Sequence, residues 1–115
     1  MQDEAELLKL LGEPTRLRLA ILLAVQGEVC VCQLAAALQE PDFKISRHLK
    51  LLRAAGLVTT RRGGTWIYYT LRKPETPLER CLRDCFRGQL SRTPEGRRDL
   101  KRLTRACCEL QACCP

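Results

Sequence analysis

Eight cysteines in 115 residues dominate the chemistry open to this chain. Cys30 and Cys32 stand one valine apart in "EVCVCQLAAALQ", at the head of a helix-forming run. The unpaired N–H groups and the dipole at a helix N-terminus favour the thiolate, the form that binds soft metals and reacts with oxidants. Their spacing poses a problem. Residues two apart in a regular helix point to nearly opposite sides, so the pair is expected to share one ligand only if the backbone around Val31 bends or unwinds. Cys81 and Cys85 lie one helical turn apart, a spacing that suits a second thiol site, a dimer seam or plain packing. Cys107, Cys108, Cys113 and Cys114 form two doublets that suit soft-metal capture and could donate a third ligand to Cys30 and Cys32.

The elements that must hold these residues are mostly helical. Leu and Ala dominate the apolar stock and aromatics are only 4% of the chain, which favours helices over a sheet-rich fold. Acidic residues open the first helix, with Leu7, Leu8, Leu10 and Leu11 as its apolar face and Gly12 closing it. Pro14 opens a second helix carrying Leu17, Ala20, Ile21 and Ala24 at helical spacing. A third begins near Cys30 and runs to about Leu38. "QEPD" breaks the chain before a fourth helix over 43–56, with Ile45, Leu49 and Leu52 as its core stripe. Two strand-forming runs follow, 58–60 and 66–70, with the basic turn "RRGG" between them. A fifth helix is expected over 77–90, and Pro94 starts a last one with Leu100, Leu103, Cys107 and Leu110 on its apolar side.

The net charge of +7 points to an anionic partner, nucleic acid ahead of acidic lipid. On the fourth helix Arg47 and Lys50 oppose the core stripe, flanked by Ser46 and Arg53 on one side and by Lys44 and His48 on the other. Helix, turn, cationic helix, basic hairpin is the order of a winged helix-turn-helix. Lys44, Ser46, Arg47, His48, Lys50 and Arg53 are therefore the candidates for base edges or phosphates. On the wing, Arg61 and Arg62 would supply charge, while Gly63 and Gly64 would let the turn approach the DNA backbone.

"LGEPTRLRLAILL", "VCVCQLAAAL", "KISRHLKLLRAAGLV" and "RRGGTWIYYTL" together resemble the arsenical-resistance repressors of the ArsR/SmtB class of metal-responsive winged-helix regulators. The likeness covers roughly residues 7 to 72. It implies a homodimer that binds a palindromic operator and releases it when trivalent arsenic or antimony binds cysteine thiolates, with no organic cofactor. Ala35 stands where the family often has a third cysteine, and Pro41 where it has a serine cap, so Asp42 is expected to cap the fourth helix.

The fold expected is mainly α with a small β-hairpin: a homodimeric winged helix-turn-helix over 1–90, followed by an added C-terminal helix and Cys-rich tail over 91–115. Dimerisation would cover the apolar faces of the first and fifth helices. The N-terminal stretch has acids where a secretory signal has bases, and no run is long enough to span a bilayer, so a cytoplasmic protein without membrane attachment is expected. An enzyme would want Cys-x-x-Cys beside a βαβ unit or a phosphate loop, and neither occurs. Alternatives on the same fold are a thiol-redox sensor or a cadmium or lead sensor. The lone histidine, His48, argues against zinc. A thiol-rich metallochaperone would not need a basic wing.

Overall fold

Helix α2, Pro14–Gln26, is the axis around which the rest packs in a computed structural model that describes residues 1–109. Pro14 sits in its first turn, and the Glu13 carboxylate accepts from the Arg16 N–H at 2.9 Å, satisfying one orphan donor. Six consecutive residues, Leu19 to Ala24, are buried. The stripe legible in the sequence is therefore only part of the buried surface, because neighbours cover α2 on nearly every side. Helix α1, Gln2–Leu11, buries only Leu11 outright and leaves Leu8 half exposed.

The helix pair that follows is α3, Val31–Leu38, and α4, Asp42–Ala54. Helix α3 ends with Gln39 at φ 56°, and the Glu40 N–H reaches back to the Ala35 carbonyl at 3.1 Å. This is a helix stop that ties off the last carbonyls in a short turn. Pro41 occupies the N-cap of α4 and no side chain caps it, so Asp42 does not cap the helix as expected. Asp42 is instead its first residue, where its charge meets the positive end of the helix dipole. At the other end Gly56, at φ +79°, lets the Leu57 N–H reach the Leu52 carbonyl at 3.0 Å.

The sheet has three strands rather than the two of a hairpin. Strand β1 is Val29–Cys30, β2 is Val58–Gly63 and β3 is Trp66–Leu71, in the order β1-β3-β2, all antiparallel. Two residues are too few to leave an alternation signature, so β1 was not legible in the sequence. The β2–β3 ladder runs from Val58 opposite Leu71 to Gly63 opposite Trp66. The connection is thus Gly64–Thr65, with Gly64 at φ +64°. Arg61 and Arg62 lie on the strand, not in the turn.

Helix α5, Pro77–Arg87, is capped by Thr76, whose hydroxyl accepts from the Glu79 N–H at 3.2 Å. It ends at Gly88, short of the expected 77–90, and a 3-10 turn, Leu90–Arg92, follows. Helix α6, Pro94–Glu109, packs on α3 and α2 and places Leu103 wholly inside the same core. Arg18 of α2 makes two 2.8 Å bonds to the carboxylate of Asp99, which is 3% exposed. No described helix is long and apolar enough to cross a membrane.

Candidate thiol and nucleic-acid sites

Cys30 is the last residue of β1 and the N-cap of α3, with extended backbone at φ −94° and ψ 164°. Cys32 is the second helical residue. The expected mismatch therefore does not arise: the two sulfurs lie 3.4 Å apart with the first turn of α3 intact. The bend that such sharing requires is built in, because the chain turns from strand to helix between Cys30 and Val31, and no unwinding of the helix is needed. The Cys30 side chain accepts from the Gln33 backbone N–H, and the Gln33 carboxamide oxygen accepts from the Cys30 N–H at 3.3 Å. This reciprocal cap is normally made by Ser or Thr with Glu or Gln. Cys30 is buried and Cys32 half-buried.

Among the described residues, no group of three or more His, Cys, Asp or Glu side chains is placed to hold a metal ion. The pair thus brings two sulfurs together, and Ala35 lies buried in the core. Cys81 is exposed and Cys85 half-buried on α5, and Cys107 is half-buried against the core on α6. The Cys108 side chain, Leu110, Cys113 and Cys114 lie outside what the structure describes.

The strand that ends in Cys30 is joined to the wing. Val29 is registered with Tyr69 and Cys30 with Tyr68. Just before them, Glu28 accepts two hydrogen bonds from the Arg61 guanidinium, at 2.8 and 2.7 Å. Arg61 also lies over the Tyr68 ring, 4.7 Å from its centroid. The hydrogen bonds from Arg61 hold the Glu28 carboxyl below its ordinary range, and the same bonds raise Arg61 further. Gly63 is needed beside this cluster, since a Cβ there would fall 2.8 Å from a Tyr68 ring carbon. The roles of Glu28 and Tyr68 in this cluster are not legible in the sequence, because they depend on a pairing between residues far apart along it.

On α4, Ile45, Leu49 and Leu52 are fully buried. Arg47, Lys50 and Arg53 are exposed on its other side, as is Lys44, 3.6 Å from the Glu40 carboxylate. Ser46 is half-buried. His48 is turned toward the start of α2, with Nδ1 3.4 Å from an Arg16 guanidinium nitrogen and 3.8 Å from the Glu13 carboxylate. Its position against α2 suits bracing better than base contact. On the wing Arg62 is exposed, and among the described residues it has no carboxylate within ion-pair distance, whereas Arg61 is held by Glu28.

Residues 13–60 match the family described as "Bacterial regulatory protein, arsR family". The chain is 51% identical over 69 residues to an arsenic resistance transcriptional regulator of Pseudomonas putida, an alignment covering 60% of this chain and 53% of that one. It is 47% identical over 72 residues to the arsenical resistance operon repressor of Escherichia coli, covering 63% and 61% respectively. The chain therefore spans between half and two thirds of the length of these two relatives. The crystal structure of a possible transcriptional regulator for arsenical resistance superposes with a TM-score of 0.54 at 34% identity, covering 84% of this chain and 91% of that one.

Proposed function

Since the chain belongs to the arsR family of bacterial regulatory proteins, we propose that it is a metalloid-responsive repressor, which holds operator DNA as a homodimer and releases it when As(III) or Sb(III) binds Cys30 and Cys32. The family is one of transcriptional regulators rather than enzymes. The observation that carries the metalloid reading is the separation of the two sulfurs, 3.4 Å. In a tetrahedral zinc–thiolate site, with bonds of about 2.3 Å, sulfurs stand about 3.8 Å apart. The closer pair fits the narrower pyramid of a trivalent metalloid. Two protein thiolates leave one ligand to be found, and the C-terminal cysteines are the candidates within this chain.

The backbone of Cys30 gives the pair its leverage. It faces Tyr68 across the sheet and caps α3, the helix that positions α4. The pair is already close enough for the metalloid, so the load comes from bringing the third ligand to it; the DNA-bound arrangement is disfavoured by whatever that closure gains in the released one. Arg47, Lys50, Arg53, Lys44 and Arg62 supply phosphate attraction, and a dimer sets two α4 helices in successive major grooves.

The test is operator binding by the reduced protein, read by fluorescence anisotropy, with arsenite titrated in. Wild type is expected to leave the DNA as arsenite rises. The double variant Cys30→Ser/Cys32→Ser is expected to bind DNA with the same affinity and to need at least about tenfold more arsenite, a loss of about 1.4 kcal/mol or more in coupling. Unchanged arsenite sensitivity in that variant would sink the proposal. Replacing Cys107, Cys108, Cys113 and Cys114 by Ser together shows whether the tail supplies the third ligand. A redox reading draws on the same closeness of the two sulfurs, and it predicts release by peroxide in metal-free buffer with no response to arsenite.

A further inference from the structure

Phe43 is the second residue of α4 and is 62% exposed, the largest apolar side chain on the outer face of that helix. At about 100° per residue, Phe43, Arg47 and Lys50 fall within about 60° of one another, directly opposite the buried stripe of Ile45, Leu49 and Leu52. Phe43 therefore lies on the line of α4 that points furthest from the core, between the cations proposed to meet DNA. The Arg47 guanidinium carbon sits 5.9 Å from the centroid of the Phe43 ring, so the aromatic face helps to set where that guanidinium lies. A purely electrostatic surface would have no use for a phenyl ring at this place.

The N-terminal residues of a recognition helix are the ones that meet base edges. In the major groove, thymine offers one apolar feature, its C5-methyl group, which apolar side chains including Phe contact. Guanine O6 and N7 accept a bidentate arginine. We propose that Phe43 is a specificity-determining residue, which packs on a thymine methyl group in each operator half-site and steers Arg47 onto a neighbouring base pair. The proposal rests on the operator reading above, and assigns to it one residue that charge does not reveal.

The test uses the full, reduced chain. Wild type selects duplexes from a randomised pool, and each thymine of the selected half-site is then replaced in turn by deoxyuridine, which lacks only the methyl group. Wild type is expected to lose about four-fold in affinity at one thymine per half-site, the ratio for one buried methyl-sized group. Phe43→Ala is expected to be indifferent to deoxyuridine at that position and to select duplexes without a preference there. Phe43→Leu should keep part of the discrimination. With the ring so exposed, both variants should melt as wild type does. If no thymine methyl matters to wild type, or if Phe43→Ala loses the same factor on every duplex, the assignment to Phe43 is wrong while the operator reading stands. A uniform loss together with a change in oligomeric state would place the ring at a protein contact instead and overturn the proposal. If wild type enriches no sequence, the operator reading falls and this inference falls with it.

Discussion

The recognition helix and the wing carry the same sign of charge but are held by different forces. Helix α4 is anchored by Ile45, Leu49 and Leu52, each wholly removed from water. The wing is buried at its base, through Val58 and Tyr69. Beyond that it depends on strand pairing and on directional polar contacts. At its base Arg72 binds Glu79 of α5, at 3.1 and 2.9 Å, and further out Arg61 binds Glu28. Apolar burial is non-directional and changes steeply if a side chain is cut, whereas exposed ion pairs are screened and easily exchanged. The wing is thus the more readily re-aimed of the two, and it is the one that shares a ladder with Cys30.

Three substitutions sharpen that contrast. Leu49→Ala should be the most damaging, costing about 3–5 kcal/mol in urea denaturation through lost burial and a residual cavity. Operator binding should fall with the folded population. A cost below about 1 kcal/mol would mean that α4 is not core-anchored as described.

At the base of the wing Glu79→Gln should cost about 1 kcal/mol, chiefly in hydrogen bonding, since water reaches Arg72 and screens the charge attraction. It also predicts a pH signature. The hydrogen bonds from Arg72 hold the Glu79 carboxyl below its ordinary value of 4.5. A carboxyl depressed by folding contributes stability in full above that ordinary value, and the contribution is lost as pH falls through the lower, folded-state value. Wild type should therefore lose stability on acidification below about pH 4.5 more steeply than Glu79→Gln. Parallel pH profiles would remove the pair from the account.

The smallest effect on stability is expected near the tip. Glu28→Gln frees Arg61 and should leave the melting temperature unchanged, because the pair is exposed to solvent. Its effect should appear on DNA instead. The slope of log affinity against log salt should steepen by about one unit for each wing, as one more cation meets phosphate. An unaltered slope would show that Arg61 does not reach DNA even when released.

Much of this architecture is legible in the sequence because it is written in local signals. Pro14, Gly27, Pro41 and Gly56 mark the helix ends, and the stripe of Ile45, Leu49 and Leu52 marks the buried side of α4. The charge on its other side is read just as directly. Arg61 was legible as a cation but not as a bound one, since Glu28 lies 33 residues away along the chain. Phe43 does not stand out in the sequence, because an apolar residue on a polar face carries no periodic signal of its own. His48 falls beside the DNA face on a helical wheel, yet Arg16 and Glu13 draw its ring toward α2.

Cys30 and Cys32 show where the two levels divide. Residue types and spacing alone determined that two soft ligands stand at the start of a helix, ahead of a cationic helix and a basic wing. Whether those ligands converge was a matter of backbone direction. It was decided by a two-residue strand that pairs with Tyr68 and Tyr69, more than three dozen residues further on. Extended backbone at Cys30 followed by helix at Val31 brings the sulfurs to 3.4 Å, where continuous helix would have separated them. Strand pairing is a long-range interaction, so the conformation it imposes on Cys30 cannot be read from Cys30 and its neighbours.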